Sequence, residues 1–243
     1  MSAPKSQHDD LFDKWNEWLG QVEDDIIYRL HANRLVWKEL TAIIDTNDEI
    51  PEADFIRGWI TRQHMEAMVL GIRRQTEVKD DVVTLGSLLE AIRRNPAVIT
   101  RQRFTELCSP SGDENWKLVV DQNFDNWAGP GGDEIDPALI EKRLEGLKQT
   151  AANITVFVNA FLAHAAKKEG PGSVSYEEID TALDEIGKQL TDLYLLLTCK
   201  SLTSPEPTIQ TPWHRAFSVP WLQPVEVERE VRIRDFIARR AKR

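Results

Sequence analysis

The stretches DPALIEKRLEGLKQTAANITVFVNAFLAHAAKK, residues 136–168, and SYEEIDTALDEIGKQLTDLYLLLTC, residues 175–199, decide the fold. In the first, Ile140, Leu144, Leu147, Ala151, Ile154, Val158, Phe161 and Ala165 recur at spacings of four and three. That rhythm places them on one face of a helix. Asp136 followed by Pro137 is a strong start signal, an N-cap carboxylate before a residue whose fixed φ suits the first turn. A continuous helix from Pro137 to Lys168 is expected, roughly 48 Å long at about 1.5 Å per residue. In the second stretch, Ser175 and Glu178 make a capping box. A second seam follows at Ile179, Leu183, Ile186, Leu190, Leu193 and Leu197. Gly170, Pro171 and Gly172 separate the two, so matched seams joined by a short turn predict an antiparallel helical hairpin.

Upstream, the same period continues. Leu11, Trp15, Trp18, Val22, Ile26, Leu30, Asn33, Trp37, Leu40 and Ile44 predict a helix starting near Asp9 or Asp10, with a bend at Gly20. Pro51, Glu52 and Asp54 open a second helix that ends around Arg74. Thr84 caps a shorter one over Leu85–Ile92, closed by Pro96. Thr100 caps another through Leu107, and Asp113 or Glu114 opens one reaching Trp127. Gly129, Pro130, Gly131 and Gly132 mark the clearest loop. Strand patterns are nearly absent, so the fold class expected is all-α, with a helical domain over 9–200. A Pro-rich tail over 201–243 is expected to lie back on it through Trp213, Phe217 and Trp221.

The chain has 243 residues, of which 41% are hydrophobic and 29% charged, enough for a sizeable core. No apolar run approaches the length that spans a bilayer, and Met1–Gln7 lacks a signal-peptide core, which predicts a cytoplasmic protein away from membranes. Cys108 and Cys199 are too few for a disulfide framework and suit a reducing compartment, with Cys199 read as a core residue. The net charge of −10 argues against a DNA-coating role, but it is unevenly spread. Residues 57–103 carry nine basic against five acidic side chains, and 229–243 carry seven against two. These are the candidate phosphate-docking surfaces, although a solvated helix face gives the same count. No phosphate-cradling loop, paired-histidine helix or Cys/His cluster is present in the sequence, so no metal or cofactor is called for.

The remaining feature is Phe157-Val158-Asn159-Ala160-Phe161-Leu162-Ala163-His164, late on the long helix. Its setting resembles the HEPN superfamily, and most nearly the abortive-infection U-type branch. Asn159, Ala163 and His164 match the branch's motif before a hairpin turn. Ile72-Arg73-Arg74, Leu85–Pro96, Thr100-Arg101 and the ending Trp213, Phe217, Pro220, Trp221 are similar as well. The resemblance implies a HEPN-like bundle, often a homodimer, and a metal-independent ribonuclease of an abortive-infection or toxin–antitoxin-type defence system. It also implies RNA and an antitoxin or other defence protein as partners. Val158 stands where active members carry the motif Arg, which implies a catalytically weakened relative.

The roles that follow are His164 as general acid or base, Asn159 orienting it or the phosphate, and Arg73 or Arg74 replacing the missing cation. On a continuous helix Asn159 and His164 lie about 140° apart. Their convergence therefore needs a break in the helix or a second protomer. Plainer readings stand beside these: a helix-end histidine, a polar surface asparagine, and arginines satisfying a helix C-terminus. A non-catalytic dimeric module binding a nucleotide, RNA or protein is the alternative function, and a purely structural dimer is a third.

Overall fold

The computed structural model describes residues 6–47, 50, 52–108, 114–162 and 173–218. Nine α-helices order the described chain: α1 (Gln7–Asp25), α2 (Ala32–Asp45), α3 (Ala53–Thr76), α4 (Leu85–Arg94), α5 (Arg101–Cys108), α6 (Glu114–Ala128), α7 (Pro137–Thr150), α8 (Ala152–Phe157) and α9 (Tyr176–Thr198). Among the described residues there is no strand, only an isolated bridge between Thr100 and Glu134. The all-α expectation holds.

Local chemistry sets the ends of these helices. Ser6 and Asp9 form a capping box at α1, and Ser175 and Glu178 form the expected one at α9. Thr84 accepts from the Ser87 amide at the start of α4, and Asp136 from the Ala138 amide at the start of α7. The glycine loop closes with Gly129 and Gly131 at φ of 75° and 71°, values that favour glycine. Arg101 clamps that loop by donating to the Gly132 carbonyl and to Asp125.

Two long helices depart from the continuity expected of them. The first runs through Gly20 without interruption. It widens into a π-helical stretch, Ile26–His31, before α2. The long helix of residues 137–168 breaks at Ala151, whose φ and ψ of −95° and 5° leave the helical well. It then widens again at Val158–Leu162. Its apolar seam survives the first break: Ile140, Leu144, Leu147, Ala151, Ile154 and Val158 are all buried, while the burial of Phe161 and Ala165 lies outside the described residues. The turn residues Gly170, Pro171 and Gly172 lie outside the described residues.

The hairpin is antiparallel. Arg143 of α7 donates to Gln189 and Asp192 of α9, and Asn153 of α8 donates to Glu178 near the other end of α9. A second antiparallel pair, α2 with α3, is registered by Asp45 with Arg57, Trp37 with Thr61 and Asn33 with His64, and Asp25 at the end of α1 continues the register to Arg74. The core joins Trp15, Leu19 and Val22 of α1, Met68, Val69 and Ile72 of α3, Leu88, Leu89 and Ile92 of α4, and the hairpin seams.

The chain divides into two compact units after Pro207. Residues 201–207, grouped with the tail by composition, belong to the larger unit, where Leu202 packs on the core and Glu206 bonds Arg34. The second unit contains a 3₁₀ turn, Trp213–Ser218, with Trp213 and Phe217 edge to face at 6.0 Å. Trp221 lies outside the described residues.

The cysteines are the clearest correction. Cys108, the last residue of α5, forms a disulfide with Cys199, the left-handed cap of α9, with their Cα atoms 5.1 Å apart. Two cysteines make no framework, yet α5 and α9 pack side by side and bring together residues separated by 91 positions. Cys199 is thus a half-buried cross-link and not the core residue expected, whereas Cys108 packs against the core. No helix among the described residues is long and apolar enough to cross a membrane.

Candidate functional site

The hairpin end that carries Asn159 is built by α8, the π-helical turn after it and the start of α9. Val158 is fully buried, as its seam position demands, and Asn159 beside it is exposed. A π turn adds a residue per turn relative to the α-helix, so side chains beyond Val158 leave the α-helical register. His164 itself lies outside the described residues.

Arg73 and Arg74 are at the other end of the bundle. Trp37 donates to Thr61 of α3 and stacks on Tyr176, the first residue of α9, at 5.1 Å. Thr61 therefore marks the level of α3 near the hairpin tip. Arg73 and Arg74 lie 12 and 13 residues further along α3, about 18–20 Å away at about 1.5 Å per residue. Arg74 is held by Asp25 in a two-oxygen contact at 2.5 Å, and Arg73 lies 3.9 Å from Glu77. The structure does not bring either guanidinium to Asn159.

The basic region 57–103 is largely neutralised within the fold. Eight of its nine cations reach carboxylates: Arg57, Arg73, Arg74, Lys79, Arg93, Arg94, Arg101 and Arg103. Arg62 has no ion pair among the described residues. Glu90 illustrates the depth of this pairing. The Arg93 hydrogen bond, acting against burial and joined by Arg94, holds its carboxyl down at about 2.

A buried polar layer that sequence reasoning missed lies between α2, α3 and α9. Arg34, with its side chain 9% exposed, donates to Asp184 at 2.7 Å and to Glu206 at 2.8 Å, with Asp180 at 3.4 Å. Burial, the largest influence, pulls the guanidinium down. The hydrogen bond and charge of Asp184, with Asp180 and Glu206, more than reverse it, so Arg34 sits above its ordinary value. His31 lies 3.3 Å from Arg34, and its Nε2 has no hydrogen-bond partner among the described atoms. Burial, with the Arg34 charge behind it, lowers His31 to about 4. Above it, Gly187 leaves room for the ring: a Cβ there would sit 3.1 Å from Nε2 and 2.8 Å from Pro205.

His64 forms the second member of this layer. It stacks on Trp37 with ring centroids 4.4 Å apart, contacts Asn33 Oδ1 at 2.6 Å, and burial lowers it to about 4. Both histidines are neutral at pH 7, so neither supplies a cation for phosphate. The available signal was Arg34 four residues after Leu30 and three before Trp37, a charge beside an apolar seam. Its partners come from α9 and the 201–207 segment, about 150 residues away, and no local pattern announces them.

No family model, curated protein or solved structure matches this chain.

Proposed function

We propose that this chain is a HEPN-like protein of an abortive-infection or toxin–antitoxin-type defence system. It acts on RNA in the cytoplasm, as a metal-independent ribonuclease or a catalytically weakened relative. The observation that supports the reading is Asn159: an exposed polar residue on a widened turn, five positions before His164, late on an all-helical hairpin. In such a reaction the RNA 2′-hydroxyl attacks its own phosphate as a base removes its proton. The P–O5′ bond breaks, and an acid protonates the leaving oxygen. Two protomers bring two copies of His164, one for each proton transfer, with Asn159 orienting the phosphate or the imidazole. The charge on the five-coordinate phosphorus needs a cation, and Val158 provides none. Arg62 lies nearer the hairpin end of α3 than Arg73 or Arg74 and has no ion pair among the described residues, which makes it a better-placed substitute.

The test is cleavage of a mixed RNA pool by the purified chain in EDTA, beside His164→Ala at matched concentration. Cyclic-phosphate ends from the wild type and none from the variant are expected. Cleavage that is unchanged in His164→Ala refutes the assignment.

The second reading is a non-catalytic module that holds a nucleotide, RNA or protein partner on the same bundle. It is supported by the buried Val158 and by the internal pairing of eight of the nine cations over residues 57–103. Absence of cleavage, with RNA binding that survives His164→Ala and weakens with salt, distinguishes it.

A further inference from the structure

The two cysteines meet where α5 and α9 end. In α5 the polar and aromatic anchors lie in the first turn: Arg101 on Asp125 and the Gly132 carbonyl, Arg103 on Asp9, and Phe104 against Phe124. Beyond them Glu106 and Leu107 are exposed and Cys108 is half-buried. Cys199 ends α9 at φ 52°, in the left-handed region that costs free energy for a residue with a Cβ. It is half-buried too, so neither half of the bond is sealed in the core.

From Cys199 the chain continues as a strap over residues 200–207, without helix or strand. Among the described residues, positions 201–207 make no backbone–backbone hydrogen bond. Leu202 packs on the core, Pro205 lies against Gly187, and Glu206 accepts from Arg34 at 2.8 Å. A Cβ on Gly187 would meet both Pro205 and the His31 ring, so the strap closes over that buried imidazole. The strap is therefore pinned covalently at one end, Cys199, and ionically at the other, Glu206.

We propose that the Cys108–Cys199 bond is a redox latch. A dithiol opens it in the folded protein, which frees the end of α5 and the 199–207 strap while the bundle stays folded. One thiolate of the dithiol attacks one Sγ, and the other cysteine leaves as a thiolate and takes a proton. The second thiol of the reductant then displaces the mixed disulfide, so the chain gains two electrons and two protons and the reductant becomes a disulfide. Disulfides that are partly exposed or hold a strained residue are the labile ones. In the cytoplasm, where the proposed function places the chain, thiols are kept reduced and a disulfide is transient, catalytic or redox-sensing. Leu88, Leu89 and Ile92 of α4 and Ile140, Leu144 and Leu147 of α7 carry much of the core, on helices to which neither cysteine belongs. The latch is a property of the fold and does not depend on RNA cleavage.

The full chain, oxidised or treated with dithiothreitol in native buffer, tests the latch. Alkylation with iodoacetamide is expected to label both cysteines of the treated chain, with helical circular dichroism retained. A protease that cuts after lysine should then cleave after Lys200 about tenfold faster than in the oxidised chain, a local opening. Cleavage after Lys142 and Lys148 of α7 should stay slow. Oxidised glutathione should restore the slow rate, and Cys108→Ser should be cut quickly with or without dithiothreitol. Cysteines that resist alkylation until urea is added overturn the latch, as does an opened bond with an unchanged rate after Lys200. Cleavage that begins equally after Lys142 or Lys148, or a loss of helical signal, also overturns it, because the bond then braces the whole fold.

Discussion

Acidifying the protein from about pH 7.5 to about pH 5 perturbs two buried imidazoles, and the structure fixes the sign and size of the response. His31 faces Arg34, Asp184 and Glu206. His64 faces Asn33 and Trp37, with Asp180 and Lys38 nearby. Each is lowered from 6.5 to about 4, mainly by burial. A histidine depressed in the folded state adds no cost above its unfolded value. As pH falls through 6.5 toward 4 the unfolded chain takes up a proton that the folded chain refuses, so stability falls across that window. At about pH 5 the cost is about 2 kcal/mol per imidazole, so about 4 kcal/mol for the pair. This is a large share of the typical 5–15 kcal/mol of a folded domain. Urea unfolding followed by circular dichroism at several pH values reads it as a falling midpoint at constant slope. Replacing His64 by Gln keeps a polar group toward Asn33 and should remove about half of the fall, and adding His31→Gln most of the rest. A midpoint unchanged between pH 7.5 and 5, or a double variant with the full wild-type dependence, would refute the reasoning.

Arg34→Met leaves Asp184, Asp180 and Glu206 without their shared cation and releases the 201–207 segment from the bundle. Because these carboxylates are 42–67% exposed and regain water, a loss of about 1–2 kcal/mol in unfolding free energy is expected, with new proteolytic cleavage near Ser204–Pro207. Reducing the disulfide, or replacing Cys108 by Ser, frees a loop of 91 residues. Chain entropy sets an upper estimate of about 4.5 kcal/mol for that loss. A dithiothreitol-dependent fall in melting temperature that is absent from the variant checks it, and an equal fall in both would refute it.

The helices were largely legible in the sequence because their causes are local. Ser175 with Glu178, Thr84 with Ser87, and Asp136 before Pro137 each satisfy backbone amides within one turn, so the caps stand where the residue types place them. The seam of residues 140–158 is buried as its period requires. The interruptions at Ala151 and at Val158–Leu162 were not legible, because the same residues pack correctly on a continuous helix and on a broken one.

The candidate site divides in a similar way. Sequence by itself determined an all-helical chain, the hairpin, the buried Val158 and the exposed Asn159, because burial of a seam follows from its period. Only the tertiary structure decided that Arg73 and Arg74 lie at the opposite end of α3 from Asn159. It alone joined Cys108 to Cys199, and it alone gathered Arg34, His31 and His64 into one polar layer. Those outcomes depend on which helix lies beside which, and that choice is made by side-chain packing between segments up to 172 residues apart. Helical periodicity reports which face of an element is apolar, while the neighbour that covers it is selected only when the whole core is assembled.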